Sequence, residues 1–254
     1  MIWDPAQYHR FAAERLKVAT DLIARIQIDS PNAIIDLGCG SGEVTNLLAE
    51  RWPHAAIIGV DNSEEMLAVA EARNTTVQWV HRDINHWRSD SKFDLVFSNA
   101  ALHWIDDHRR LFVRLSQSVN PRGVLAVQMP RNYDAASHTA LVDTVTSGAW
   151  REALTPLLRR NPVWDAKSYY ELLSQQFGRV DIWETEYLHV LEGKNPVAAW
   201  TKGTLLRPFF SALTGEQCQR FETEYRRRIL KAYPPDVDDK TVFLFKRLFI
   251  LATK

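Results

Sequence analysis

Apolar and polar positions follow two rhythms along this chain, and the place where one gives way to the other organises everything else. From residue 33 to 129, short runs of Ile, Val, Leu and Phe alternate with stretches of helical spacing, the pattern of buried strands separated by amphipathic helices. Strands are predicted through Ile34, Ile35 and Leu37, from Ala55 to Val60, Thr76 to His81, Phe93 to Asn99 and Val124 to Met129. A leading helix over residues 5–27 would bury Phe11, Leu16, Leu22, Ile23 and Ile26 and expose Arg10, Glu14, Lys17, Asp21 and Arg25, and Ser30-Pro31-Asn32 stops it. Ser63 caps a helix that turns Met66, Leu67 and Ala70 inward. Asp106-Asp107 open a helix packing through Leu111, Phe112, Leu115 and Val119, and Asn120-Pro121-Arg122-Gly123 make a turn into the fifth strand.

Beyond about residue 131 the alternation yields to mostly helical pattern rich in Trp, Arg and Pro. A helix is predicted from Ser168 to Phe177 and a strand from Val180 to Val190; residues 195–233 are again helical, with Thr214 and Gln217 as a capping-box pair. Leu248 to Ala252 form a short closing strand. Strands alternating with helices imply an α/β fold built on a mostly parallel sheet. At 254 residues, without repeat or linker, the chain suits one large domain. Its core would comprise 28–130, 176–190 and 246–254, under a helical lid from 131–175 and 195–245.

Candidate chemistry concentrates where the first strand ends. Asp36-Leu37-Gly38-Cys39-Gly40-Ser41-Gly42-Glu43 passes from strand through three glycines into a helix, so the backbone there is shaped for close approach of a ligand. A dinucleotide fingerprint would need a third glycine at 43, where Glu43 stands, and a P-loop would need a lysine that is absent. Glu43 in the first helical turn would also repel a pyrophosphate. A ligand without phosphate fits better. Asp61 ends the second strand 25 residues after Asp36, where a carboxylate can accept from both hydroxyls of a ribose, or can start a turn with Asn62 and Ser63. Met66 suits either an adenine pocket or the core. Backbone and side chains from Asn99 onward, through Ala100, His103 and Trp104, fall at the carboxyl end of the fourth strand, beside the switch point of such a sheet. Gln128, polar in an apolar strand, suits a site-facing role and a satisfied core amide equally.

Composition narrows the field by exclusion. Thirty-one basic against 31 acidic residues recruit neither nucleic acid nor an anionic membrane. Two cysteines make no disulfide framework, and neither a signal peptide nor a membrane-length apolar run is evident, so a cytoplasmic protein is expected. The eight histidines show no H-x-x-x-H or H-E-x-x-H spacing and no G-x-S-x-G elbow occurs, so no metal and no hydrolase triad is expected.

The Asp36-Leu37-Gly38-Cys39-Gly40-x-Gly42 string resembles motif I of class I S-adenosylmethionine-dependent methyltransferases. The resemblance implies a Rossmann-like, mostly parallel seven-stranded sheet with helices on both faces and a helical lid. It implies S-adenosylmethionine as cofactor, S-adenosylhomocysteine as product, and a cofactor site of Asp36, Gly38, Cys39, Gly40, Asp61, Asn62, Met66, Asp83, Ile84, Asn99, Ala100 and Trp104. Asp83 would accept from the adenine amino group while Ile84 packs on the ring. Further matches follow, of which the opening and the tail motifs are the specific ones: Trp3-Asp4-Pro5 with Tyr8, Phe11, Glu14 and Arg15; Asn99-Ala100 with Leu102-x-Trp104; Leu125 to Pro130; Val180-Asp181-Ile182-Trp183; Leu206-Arg207-Pro208; and Arg247 to Ile250. Over its whole length the chain looks like the trans-aconitate methyltransferase family, departing most in 133–165. That likeness implies esterification of one carboxylate of a small tricarboxylate, with no nucleic acid, membrane or protein partner. A carboxylate is ionised at neutral pH, so no general base is needed, and an arginine fork suits the other carboxylates. Arg207 is the expected clamp, with Tyr8, His103, Trp104 and Gln128 completing the acceptor pocket. Acceptors other than carboxylates would need a base, for which His103 is available.

Overall fold

The computed structural model describes residues 12–254 apart from 204 and 237. Tyr8, Phe11 and the opening Trp3-Asp4-Pro5 lie outside the described residues. The chain divides into two compact units. One, the sheet unit, holds Arg15–Arg131, Pro162–Thr185 and Arg247–Lys254; the other, the helical unit, includes Asn132–Asn161 and Glu186–Lys246. Two boundaries differ from the expected lid. Residues 162–175 belong with the sheet, because Tyr169, Leu172 and Leu173 are buried in its core, and 186–190 belong with the helices.

From Arg15 onward α1 (Ala12–Arg25) belongs to the sheet unit, where it buries Val18, Ala19, Leu22 and Ile23 and is followed by Ile26, also buried. Arg51 caps its end, donating to the carbonyls of Ile23 and Ile26 at 2.5 and 2.9 Å. Then come β1 (Ala33–Leu37), α2 (Glu43–Arg51), β2 (Ala56–Asp61), α3 (Glu64–Arg73), β3 (Gln78–His81), β4 (Phe93–Asn99), α4 (His108–Gln117) and β5 (Val119–Pro130). The caps fall where expected: Ser63 accepts from Met66 N at 3.3 Å, and Asp107 accepts from Arg110 N at 3.0 Å. Later elements are α5 (Ala136–Ser147), α6 (Arg151–Leu154), α7 (Ala166–Leu173), β6 (Arg179–Leu191), α8 (Pro196–Lys202), α9 (Arg207–Ser211), α10 (Gly215–Ala232) and β7 (Thr241–Thr253). The strand order is β3-β2-β1-β4-β5-β7-β6, with β1 to β5 paired in parallel and β7 antiparallel to β5. Reversal of order at β1 and β4 puts the switch point beside the glycine loop.

Two expectations are corrected. Val119 is not on the helix face, and Asn120 to Gly123 are not a free turn: both lie within β5, as a bulge where the register jumps from Phe93↔Val119 to Leu95↔Val124 and Arg122 takes φ 66°. The closing strand is also longer than predicted, because Lys246 and Arg247 interrupt its apolar pattern without ending it.

The sheet core runs from Ile35 and Leu37 through Val96, Leu125 and Val127 to Leu111, Phe112 and Leu115 of α4 and Tyr169 of α7. The helical unit has its own core, dominated by Trp150, Trp200, Phe209, Phe210, Phe221, Tyr225, Phe243 and Phe245. Phe221 is fully buried, with ring contacts to Trp150 at 5.3 Å and Phe210 at 6.0 Å, so its truncation to Ala costs roughly 3–5 kcal/mol. The predicted capping box stands: Thr214 N donates to Gln217 Oε1 at 3.1 Å. Among the described residues no helix is long and apolar enough to cross a membrane.

Candidate active site

The glycine loop is held from three sides. From beneath, Asp36 is 2 % exposed and accepts from Thr45 Oγ1 at 2.6 Å; burial raises its pKa to about 7, against the lowering effect of that hydrogen bond. Its carboxylate therefore braces β1 against the first turns of α2. From the side, the N–H groups of Gly38 and Cys39 both donate to Val60 O, at 2.8 and 3.1 Å, and Gly40 N–H donates to Asp61 Oδ2 at 2.9 Å. From above, Ala101 occupies the space a side chain on Gly38 would need, its Cβ 2.1 Å from that position.

The three glycines are required for different reasons. Gly38 and Gly42 have φ of 81° and 77° and are crowded, Gly42 by the Trp79 ring. Gly40 has φ 54°, and among the described residues nothing lies within 4 Å of where its Cβ would be. Among the described residues none fills the space before Gly40, so the backbone there is open to approach by a ligand. Glu43 follows in the first turn of α2 and pairs with Arg73 at 3.1 Å, a negative charge unsuited to a phosphate. A neutral or zwitterionic nucleoside fits this loop. Cys39 is packing: its Sγ lies 3.1 Å from a Cβ on Gly59, and burial pushes its thiol pKa up, so it is no nucleophile.

Along the rim, Asp61 Oδ2 accepts from Gly40 N and Oδ1 from Ser63 N at 2.9 Å, so one carboxylate ties the glycine loop to the start of α3 and remains half-buried. Asn62 turns its carbonyl to His81 Nε2 at 3.1 Å, and Met66 is half-buried one helical turn on. Asp83 closes a turn, accepting from Asn85 N at 2.7 Å, with 42 % of its side chain exposed. Ile84 is buried, its Cδ1 3.5 Å from the Cβ position on Gly38, which brings the third strand's end to the loop.

The ends of β4 and β5 complete the edge. Asn99 and Gln128 are register partners, and Ala100 N–H donates to Gln128 O at 2.9 Å. Ala100 adopts φ 53°, a left-handed conformation costly for a non-glycine residue. Gln128 is fully buried, yet neither end of its amide has a hydrogen-bond partner among the described residues; Asn99 Oδ1 is in the same condition. Leaving such groups unsatisfied costs about 1–3 kcal/mol each. Trp104 is 44 % exposed with its ring 4.8 Å from that of His103.

Gly38, Cys39, Gly40, Asp61, Ile84, Asn99, Ala100 and Gln128 are thus gathered at one sheet edge. Arg207 belongs to the helical unit, where it is exposed at the start of α9. Sequence reasoning missed three supports. Thr45 holds Asp36; Trp79, lodged against Gly42 and Gly59, dictates both glycines; Arg114 of α4 donates to the carbonyl of Ile84 at 2.7 Å and fixes the loop after β3. A hydroxyl one helical turn inside a glycine-loop helix is the one signal that could have pointed to Thr45.

Sheet order, glycine loop and acidic rim together define a class I methyltransferase architecture. A family model described as "Methyltransferase domain" matches residues 34–123. Among solved structures, this chain resembles YcgJ of a Bacillus species at TM-score 0.61 and 13 % identity, covering 94 % of this chain and 98 % of that one. It also resembles a Haemonchus contortus phosphoethanolamine N-methyltransferase 2 in complex with S-adenosyl-L-methionine, at TM-score 0.54 and 18 % identity, over 93 % of this chain and 52 % of that one. Both likenesses concern the fold. Closer in sequence are proteins named trans-aconitate 2-methyltransferase: 39 % identical in Azoarcus sp. (strain BH72), over 99 % of both chains, and 42 % in Yersinia pestis (strain Pestoides F), over 98 % of this chain and 97 % of that one. The chain belongs to the trans-aconitate 2-methyltransferase family, within the S-adenosylmethionine-dependent methyltransferases.

Proposed function

We propose that this protein transfers the methyl group of S-adenosylmethionine to one carboxylate of trans-aconitate, giving a monomethyl ester and S-adenosylhomocysteine. The observation that carries the proposal beyond family membership is the buried Gln128 amide, whose donor and acceptor are both available beside Asn99. S-adenosylmethionine supplies an electrophilic methyl on a sulfonium. The residues that fit it are Gly38 and Gly40 for the backbone approach, Asp61 for the ribose, Asp83 and Ile84 for the adenine, and Asn99 with Ala100 toward the amino acid portion. Asn62, Met66 and Trp104 complete the cofactor side.

In the acceptor step a carboxylate oxygen forms the new bond to carbon while the sulfur keeps the electron pair of the broken one. No proton moves, so His103 serves to shape the pocket with Tyr8 and Trp104 rather than as a base. What suppresses a carboxylate in water is its hydration, and a buried amide donor at Gln128 replaces water with one fixed hydrogen bond. Arg207 is assigned the clamp on a second carboxylate, where a bidentate fork adds orientation as well as attraction. The reaction is assigned to the cytoplasm, which suits two buried free cysteines.

The proposal is tested with isotopically labelled S-adenosylmethionine and a panel of trans-aconitate, cis-aconitate, citrate, isocitrate and simple fatty acids. Selective formation of a base-labile ester of trans-aconitate is expected. Labelling of a different acceptor would keep the cofactor and overturn the substrate; tight cofactor binding with no labelled product would overturn catalysis itself.

A further inference from the structure

His103 and Trp104 sit on a three-residue 3-10 turn, Leu102–Trp104, with no side-chain cap. Such a turn has poor hydrogen-bond geometry of its own, so its position depends on what holds it from outside. His108, at the start of α4 and 0 % exposed, reaches back to it and donates Nε2–H to Leu102 O at 3.0 Å. That carbonyl also accepts from Ile105 N–H at 3.0 Å, so both its lone pairs are engaged.

The other ring nitrogen, His108 Nδ1, meets the hydroxyl of Tyr169 from α7. That hydroxyl in turn accepts from Trp164 N–H at 3.3 Å. Tyr169 is itself fully buried, with its ring 4.9 Å from Phe112 and 5.4 Å from Trp164. A backbone N–H only donates and a backbone carbonyl only accepts, so with a neutral imidazole the chain runs from Trp164 N–H to Tyr169 oxygen, from Tyr169 O–H to His108 Nδ1 and from His108 Nε2–H to Leu102 O. The Leu102 carbonyl thus requires a proton on Nε2, and the two contacts together fix the aim of the imidazole.

The rest of the segment is pinned just as closely. Ala100 N–H is held by Gln128 O, and Ala101 fills the place of a Gly38 side chain. The stretch 100–102 therefore has three anchors: on β5, on the glycine loop and, through His108, on α4 and α7. A strained φ at Ala100 persists only where the surroundings over-determine it, and the third anchor is the one made by side chains from α4 and α7.

We propose that His108 and Tyr169 are positioning residues for methyl transfer: through the Leu102 carbonyl they set where His103 and Trp104 stand relative to Asn99 and Gln128. This rests on the reading that the 99–104 edge receives cofactor and acceptor. His108→Gln and His108→Asn separate positioning from packing, because a Gln amide nitrogen falls near the place of Nε2 and an Asn amide nitrogen near that of Nδ1. His108→Gln is expected to keep kcat within about 3-fold of the parent, while His108→Asn loses about tenfold or more at similar melting temperature. Tyr169→Phe, which removes one atom, is expected to lower kcat about 3- to 10-fold with little change in acceptor KM, and it carries the test if His108→Asn does not fold. Equal kcat in the Gln and Asn variants, an unchanged kcat in Tyr169→Phe, or losses that track melting temperature alone would overturn the proposal. Failure of the parent protein to methylate any acceptor would instead sink the function on which it rests.

Discussion

The buried hydroxyls of the helical unit and the buried amides at the sheet unit's switch point differ in their hydrogen bonding. In the helical unit several hydroxyls bond to one another or to backbone: Tyr225 donates to Thr201 Oγ1 at 2.9 Å, Thr201 donates to Val197 O at 3.0 Å, Thr144 to Ala140 O at 2.6 Å, and Tyr233 accepts from Ser137 N at 3.2 Å. These bonds knit a core of aromatic rings. In the sheet unit the interior is equally dense, but at the carboxyl ends of β4 and β5 Asn99 Oδ1 and the whole Gln128 amide are buried without partners among the described residues. A fold tolerates such groups where something other than the fold uses them. The contrast teaches where stability ends and function begins.

Substitutions at the glycine loop should break the contrast most sharply. Gly38→Ala meets Ala101 and a φ of 81°, so it is expected to lower melting temperature and cofactor affinity together. Gly40→Ala meets no described residue within 4 Å at φ 54°, so thermal denaturation should show a loss of about 1–2 kcal/mol, while calorimetric S-adenosylmethionine binding falls by about a hundredfold or more. Equal effects of both on stability and binding would mean that the space before Gly40 receives nothing. Asp61→Ala removes the acceptors of Gly40 N–H and Ser63 N–H and should weaken cofactor binding by about 10- to 100-fold; unchanged affinity would free the ribose assignment for another residue.

In the helical unit, Arg207 is exposed, so Arg207→Ala should leave the melting temperature unchanged and raise the acceptor KM about tenfold. A fall in stability without a change in KM would return it to packing. The smallest effect concerns His138, half-buried against Tyr133, whose pKa desolvation lowers from 6.5 to about 4 despite nearby Asp134. Between pH 6.5 and 4 the unfolded chain binds the extra proton, so stability should fall as pH drops through that window. His138→Phe should flatten this slope in thermal scans, and a slope equal to the parent's would assign it to other groups.

The sheet unit was largely legible in the sequence because its strands are short apolar runs punctuated by glycine, proline and acidic residues. Gln128 announced itself as the polar residue in such a run. What escaped depended on partners distant in the chain. The bulge at Asn120 to Gly123 is set by pairing with β4, and its local residues spell an ordinary turn. The true length of β7 was hidden by Lys246 and Arg247, although Arg247 is 5 % exposed within the strand. Residues 162–175 looked like lid because helical periodicity does not say which core a helix joins. Asp36 read as a ligand contact, and its role beneath the loop emerges only once Thr45 is brought within 2.6 Å.

The central claim is that the Gln128 amide is kept for the acceptor and not for the fold. Gln128→Leu, of similar volume, removes the buried unsatisfied groups, so the ligand-free protein should gain about 1–3 kcal/mol, or roughly 2–4 °C per kcal/mol for a chain of this size. Methyl transfer from labelled S-adenosylmethionine to trans-aconitate should at the same time lose about 10- to 100-fold in kcat/KM. A variant that is more stable and less active is the expected result. A variant that loses stability, or keeps full activity, would contradict the account.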